Sequence, residues 1–347
     1  MIIGVVGCGY WGSKHVRVLH GMGEVHQVVA IDPRQSRLLE LTRAFPALET
    51  APSVDDVLDK VDGLIIATPP STHAALAITA LRAGKHVLVE KPLATRSSDV
   101  RRMIDAADDA SAILMAGHTF EYNAAVWKLR ELVESGELGK IYYLDSARLN
   151  LGLYQSDVNV VWDLAPHDVS IFNHVLRSRP SVVQAWGARH GHREHEDVAY
   201  IRLNYVEPEV TATIHVSWLD PCKVRRVTIV GSQKMAVYND LSIEERVRVY
   251  DKGLAGTEDG PLQDVPMSYR YGEIRSPYVA FEEPLGVQDR EFVRAALTGV
   301  RPRTDGANGW DVVRTLEAVE ISLRESRPVH LDEINISDAA LSELVEV

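Results

Sequence analysis

Gly7-Cys8-Gly9-Tyr10-Trp11-Gly12 carries the G-x-G-x-x-G spacing, and its surroundings constrain the chain more than any other feature. An apolar run, Ile2–Val6, leads straight into it. A helix pattern with Val16 and Leu19 on one side follows, and a second apolar run, Val25–Ile31, ends at Asp32. In such a βαβ unit the first glycine permits the tight turn, the second lets the backbone approach a pyrophosphate, and the third lets helix and strand pack closely. The helix N-terminus then presents free N–H groups to the phosphates. Gly7, Gly9 and Gly12, with Tyr10 and Trp11 beside them, are therefore read as a dinucleotide loop. Asp32, twenty positions beyond Gly12, is placed to accept hydrogen bonds from the adenosine ribose. Its charge repels a 2′-phosphate and favours NAD over NADP, with Arg34 and Arg37 weighing the other way. A ligand-free turn is the plain alternative, and FAD can use the same fingerprint, but no flavin-specific segment accompanies it.

Up to residue 123 the same rhythm continues. Leu64–Ala67, His86–Val89 and Ile113–Ala116 are short apolar runs of strand type. Between them Ser53 precedes Val54-Asp55-Asp56 as a helix cap, and Thr72–Ala83 reads as an amphipathic helix stopped by Gly84. Continuous apolar strands alternating with helices predict a doubly wound parallel sheet, an α/β domain over residues 1–123. Residues 124–347 read as a second, α+β domain: a helix at Ala124–Ser135, a strand at Ile141–Leu149 and a short helix capped by Asp168. A largely antiparallel series follows, Val182–Arg189, Val198–Tyr205, Thr211–Trp218, Val224–Val230, Met235–Tyr238 and Arg246–Tyr250. Gly253–Pro284 reads as a long loop. Two helices, Val287–Leu297 and Trp310–Leu323, complete the pattern and can pack on either domain.

Charge narrows the partners. With 37 Lys and Arg against 49 Asp and Glu, the net charge is −12, and no basic runs suit nucleic acid or an anionic membrane. No stretch reaches the roughly 18 consecutive apolar residues of a membrane span. Cys8 and Cys222, the two cysteines, lack metal-ligand spacing, which predicts neither zinc nor a disulfide framework and fits a reducing cytoplasm.

In a doubly wound sheet the ligand lies outside the carboxyl ends of the strands, so the residues following each strand matter most. After Leu64–Ala67 come Thr68, Pro69, Pro70 and His73, able to line the nicotinamide side; His73 equally serves as the start of a helix. After His86–Val89 come Glu90, Lys91 and Pro92, with Glu90 and Lys91 expected beside the cofactor. A lysine there can be aimed at an alcohol or carbonyl oxygen, although spacing alone favours an exposed charged turn. Later, Trp162-Asp163-Leu164-Ala165-Pro166-His167-Asp168 sets Asp163 and His167 four residues apart, one face of a helix if that segment is helical. A histidine beside a carboxylate suits proton transfer near neutral pH; a capping cluster is the alternative. No third metal ligand accompanies them, since His192 and His195 fall in a polar hairpin.

Together, Gly7–Gly12 with Asp32, Thr68–His73, Glu90-Lys91-Pro92 and Asp163-x-x-x-His167 resemble the glucose-fructose oxidoreductase/inositol dehydrogenase/MocA-like family over nearly the whole chain. The resemblance implies a Rossmann domain, a second domain with an open-faced sheet used for oligomerisation, and NAD(P)-dependent oxidation or reduction of a sugar or cyclitol. It places the family's lysine on Lys91 and its aspartate and histidine pair on Asp163 and His167, against the plainer readings of those positions. Gly117-His118-Thr119-Phe120-Glu121-Tyr122-Asn123 and Arg148-Leu149-Asn150-Leu151-Gly152 through Asp157 to Asp163 are similar to the nucleotide-sugar 3-dehydrogenase branch. Glu121-Tyr122-Asn123-Ala124 stands where Arg-Phe-Asn-Pro is commoner. This likeness implies substrate contacts at Tyr122, Asn123, Arg148, Asn150 and Trp162. The expected chemistry is an NAD-dependent interconversion of secondary alcohol and ketone, with His167 as base, Lys91 on the same oxygen and Asp163 as orienter, or with Lys91 as the principal acid/base. Free-cyclitol dehydrogenase, nucleotide-ketosugar reductase and a non-catalytic NAD(P)-sensing regulator are the other readings. The apolar alternation of Thr211–Trp218 predicts a homodimer or homotetramer.

Overall fold

A computed structural model describes residues 1–152, 154, 158–191, 194–255 and 268–334. The chain begins β1 (Ile2–Val6), α1 (Tyr10–His20), β2 (Gln27–Ile31), α2 (Gln35–Ala44), β3 (Glu49–Ala51), β4 (Gly63–Ile66), α3 (Pro70–Arg82), β5 (His86–Glu90), α4 (Ser97–Asp109) and β6 (Leu114–Gly117). There follow α5 (Ala124–Glu134), β7 (Ile141–Leu151), α6 (Val160–Leu176), β8 (Pro180–Ala188), β9 (Val198–Tyr205), β10 (Val210–Ser217), β11 (Leu219–Gly231), β12 (Met235–Asn239), β13 (Val247–Ala255) and β14 (Ser268–Arg275). Last come α7 (Pro284–Thr298), α8 (Gly306–Glu325) and β15 (Val329–His330). Two compact units result: Met1–Tyr122 with Glu282–Arg314, and Asn123–Phe281 with Thr315–Val347. Helix α8 gives its first turns to one unit and the remainder to the other.

In the first unit six parallel strands lie in the order β3-β2-β1-β4-β5-β6, the dinucleotide-binding order with its switch point between β1 and β4. Ile3, Val5, Leu64, Ile65, Ile66, Val87, Leu88 and Val89 are wholly buried, as strands covered on both faces require. Each such side chain contributes about 1.5–3 kcal/mol by leaving water. The segment after Ser53 corrects the expected helix. Ser53 Oγ accepts the Asp55 amide at 3.3 Å, and this local bond holds a series of turns that reaches β4 without a helix. The short edge strand β3 has no alternation long enough to mark it in the sequence.

In the second unit nine strands run β14-β13-β12-β11-β7-β10-β9-β8-β15, antiparallel except for the β7–β10 pair. Val210, Ala212, Ile214 and Val216 of β10 are buried, while Thr211, Thr213 and His215 point to the other face. Beside them on that face, Trp186 and Tyr200 are exposed, and Tyr200 stacks on His215 with ring centroids 4.0 Å apart. The expected loop from Gly253 to Pro284 is corrected at both ends. β13 extends to Ala255, and β14 pairs back on it from Leu254↔Tyr269 to Val249↔Arg275; residues 256–267 lie outside the described residues. The α6 boundary is also corrected. The helix starts at Val160, capped by Asn159 Oδ1 on the Val161 and Trp162 amides at 3.1 and 3.3 Å, so Asp168 lies inside the helix and caps nothing.

Candidate active site

The glycine loop is built to close tolerances. Gly7 has φ +87°, and a Cβ on Gly12 would stand 1.9 Å from the Gly7 carbonyl oxygen, so neither position admits a side chain. Gly9 is the N-cap of α1, and no side chain caps its amides. The first turn holds no acid, and Tyr10 and Trp11 are exposed there. The positive end of α1 is thus left open to an anion, which fits the pyrophosphate of a dinucleotide. A cleft of about 380 Å³ beside it is lined by Cys8, Gly9, Tyr10, Ser13 and Arg37, among others. Cys8 itself is inert: burial, and then the Asp32 charge, push its thiol up to about 12.

Asp32 follows β2 and is buried. Its Oδ2 accepts the Cys8 amide and Arg34 Nη2, both at 2.9 Å, and its Oδ1 accepts the Arg34 amide at 2.8 Å and Nε at 2.9 Å. Burial alone would raise its pKa, but these donors hold the carboxyl below the ordinary range and keep it ionised.

Thr68 and Pro69 end the β4 crossing. Thr68 Oγ1 bonds Thr72 Oγ1 at 2.7 Å, and Pro69 is the N-cap of α3, which begins at Pro70 with no acid in its first turn. His73 is buried inside that turn, with Nδ1 2.9 Å from the Pro92 carbonyl and Nε2 2.8 Å from that of Thr68. Burial lowers its pKa. The neutral ring has one N–H to donate to one of these carbonyls, and it sits between the loop after β5 and the turn after β4. Glu90, the last residue of β5, is buried against His15, and Lys91 is half-buried just beyond the strand's carboxyl end.

In the second unit Asp163 and His167 both lie on α6, four residues apart and both half-buried, hence on one face. Trp218 Nε1 donates to Asp163 Oδ2 at 2.9 Å and fixes the carboxylate. Pro166 between them removes the helical N–H that would otherwise have met the Trp162 carbonyl. Asp168 turns the other way: it is buried and takes Arg148 Nε at 2.8 Å and Nη2 at 3.2 Å, tying α6 to β7.

That pair holds the Arg148 guanidinium inside the unit. Trp162 is buried and donates Nε1 to Glu320 at 2.9 Å, and Asn123 caps α5 and donates to the Tyr238 hydroxyl. In the first unit the Tyr122 hydroxyl bonds Thr304 Oγ1 at 3.0 Å. Asn150 remains half-buried on β7, Asp157 and His192 lie outside the described residues, and His195 is half-buried.

Sequence reasoning missed Trp218, His15, Asp289 and a second histidine–carboxylate pair. Asp197, fully buried, accepts His190 Nδ1 at 2.8 Å, the Gly191 amide at 2.7 Å and the Tyr154 hydroxyl at 3.2 Å. His15 left one signal, a polar residue on the Gly12, Val16 and Leu19 face of α1. Among the described residues no group of three or more His, Cys, Asp or Glu could hold a metal ion, and no helix is long and apolar enough to cross a membrane.

Comparison with known proteins agrees with this architecture. Residues 1–118 match the oxidoreductase family with NAD-binding Rossmann fold, GFO/IDH/MocA, and residues 126–237 match the GFO/IDH/MocA C-terminal domain. The chain belongs to this family of oxidoreductases. It is 24% identical over 352 residues to myo-inositol 2-dehydrogenase of Thermotoga maritima, covering 96% of this chain and 99% of that protein. It is 32% identical over 193 residues to UDP-N-acetylglucosamine 3-dehydrogenase of Acidithiobacillus ferrooxidans, covering 54% of this chain and 58% of that one. A dehydrogenase of Bordetella pertussis, solved with NADH and UDP-GlcNAcA, shares the fold with a TM-score of 0.76 at 22% identity, over 95% of this chain and 98% of that one.

Proposed function

We propose that the protein is an NAD(H)-dependent oxidoreductase that interconverts a secondary alcohol and a ketone on a nucleotide-linked amino sugar, at C3. The observation that carries the chemistry is the placement of Asp163 and His167 on one face of α6, with Asp163 held by Trp218. NAD, when bound, supplies the hydride acceptor. Gly7, Gly9, Gly12 and the open end of α1 would hold its pyrophosphate, Asp32 its ribose, and Thr68 and Pro69 its nicotinamide side.

A secondary alcohol loses hydride only as its hydroxyl proton departs, so a base must reach that oxygen. His167 takes that proton and returns it in the reductive direction. Lys91 is the first unit's candidate for hydrogen-bonding a substrate oxygen and stabilising its developing charge. Asp163 orients His167 or a neighbouring sugar hydroxyl. The nucleotide-sugar substrate class is supported by the relative named UDP-N-acetylglucosamine 3-dehydrogenase and by the Bordetella dehydrogenase solved with UDP-GlcNAcA. The relative named myo-inositol 2-dehydrogenase, matched over almost the whole chain, favours a free cyclitol as the second reading. The Trp186, Tyr200 and His215 face supports association of copies as a homodimer or homotetramer, to be read by sedimentation.

The test is NADH absorbance on mixing the protein and NAD⁺ with UDP- and dTDP-hexoses, free hexoses, sugar phosphates and inositols. A signal confined to nucleotide sugars supports the proposal, and one confined to inositol replaces its substrate while keeping its mechanism. His167→Ala and Lys91→Ala are expected to lower turnover about 10²–10⁴-fold each, with NADH binding nearly unchanged. Wild-type turnover in both removes these residues from the mechanism.

A further inference from the structure

Three ionisable side chains of the first unit meet out of reach of water. His15 of α1 is fully buried, with Nδ1 3.0 and 2.9 Å from the two carboxylate oxygens of Asp289 on α7. Its Nε2 is 3.0 Å from Oε1 of Glu90, and Oε2 of Glu90 accepts the Lys91 backbone amide at 3.2 Å. Asp289 is fully buried and Glu90 nearly so.

A neutral imidazole carries one N–H and can donate to one carboxylate only. Carboxylates at both ring nitrogens call for the doubly protonated ring. Burial alone would oppose that charge, but Asp289 and then Glu90 reverse the effect and raise the His15 pKa to about 10. Glu90 stays anionic: burial opposes its charge, and His15 and Lys91 outweigh burial. Lys91, His73 and His118 are the other charged or titratable groups facing Glu90, and burial lowers the pKa of both histidines.

Such a cluster is a poor device for stability, because desolvating three ionised groups is costly and apolar side chains of equal volume pack as well. What apolar side chains cannot do is hold a carboxylate at a fixed angle beneath the residue after β5. We propose that His15 is a positioning residue: clamped by Asp289, it fixes the Glu90 carboxylate, which fixes the backbone at Lys91 to the helix that follows the glycine loop. Glu90 is the middle of this strap, and the lysine inherits its position from the helix that follows the glycine loop. The inference rests on the reading of Lys91 as a catalytic group.

Two variants and two readouts test it. His15→Gln leaves two buried carboxylates without a cation, and its melting temperature falls. Adding Asp289→Asn removes one of those carboxylates and restores much of the stability. If His15 positions Lys91, the double variant regains stability without regaining the lysine. Trinitrobenzenesulfonate labelling of the folded protein, read by mass spectrometry, then shows the Lys91 rate relative to Lys85 and Lys128 changed several-fold. kcat stays about tenfold or more below wild type, with the NADH dissociation constant little changed. Glu90→Gln has a single carbonyl oxygen for both His15 and the Lys91 amide, so it shows the same labelling change even if the double variant does not fold. Wild-type Lys91 labelling in the double variant and in Glu90→Gln overturns the inference, as does return of kcat together with stability. Labelling needs no substrate, and wild-type turnover in Lys91→Ala would sink the role of Lys91 while leaving the strap measurable.

Discussion

Two buried ionic groups in this protein look alike in a list of contacts and differ in kind. Arg148 and Asp168 in the second unit form one cation and one anion with paired, nearly parallel bonds. His15 in the first unit sits between two carboxylates. The first group sets one cation against one anion, whereas the second carries an excess carboxylate that leads on to the backbone at Lys91. A balanced pair joins one helix to one strand, and its loss is a loss of stability. An unbalanced one is retained at a cost, and the cost makes sense where the carboxylate has a further task.

Asp168→Ala tests the balanced side and has the largest expected effect on stability. Removing Asp168 takes the paired carboxylate from an Arg148 side chain that is 7% exposed, which costs about 3–5 kcal/mol. Chemical denaturation would read that loss. Asp168→Ala combined with Arg148→Met should recover most of it. A loss of less than 1 kcal/mol in the single variant would mean the pair is not the lock between α6 and β7.

The unbalanced side is tested by pH. Folding raises the His15 pKa from 6.5 to about 10, so its contribution is fully present below about pH 6.5 and is lost as pH rises through about 10. The stability of the wild type relative to His15→Gln/Asp289→Asn should therefore be greatest at pH 6 and fall by a few kcal/mol towards pH 10. Asp289, whose pKa burial raises, works against part of this gain. A gap that is constant from pH 6 to 10 would show that His15 does not carry the charge.

The same contrast explains what could be read beforehand. The first unit's parallel strands are continuous apolar runs between helices, and five of its six strands announce themselves that way; β3, with three residues, has no pattern to find. The second unit's sheet was legible by alternation except at β15, which has two residues, and at β14, where seven of eight residues are exposed and no alternation marks a buried face. At the candidate site, spacing put Asp163 and His167 together, but Pro166 followed by Asp168 imitated a helix start. The true cap was Asn159, ahead of Val160, Val161 and Trp162 with Asp163 in the first turn. His15–Asp289 and Trp218–Asp163 were not legible, because each joins residues far apart in the chain, 274 and 55 positions, and no local period encodes such a meeting.

Asp32 and Arg34 sharpen the comparison from the other end. Here the carboxylate is 1% exposed and the guanidinium 60% exposed, so water and salt screen the cation while two backbone amides also satisfy the anion. Arg34→Ala should change stability by less than about 1 kcal/mol, the range of exposed ion pairs. Its effect belongs to the ligand instead. A free guanidinium is the group at this position able to take a 2′-phosphate by paired hydrogen bonds, and an uncovered Asp32 is better placed for ribose hydroxyls. Arg34→Ala should therefore weaken NADPH about tenfold, roughly 1.4 kcal/mol, while NADH binding holds or tightens. Fluorescence titration with both nucleotides measures this. Equal loss of both would show that Arg34 supports the loop and does not choose between the cofactors.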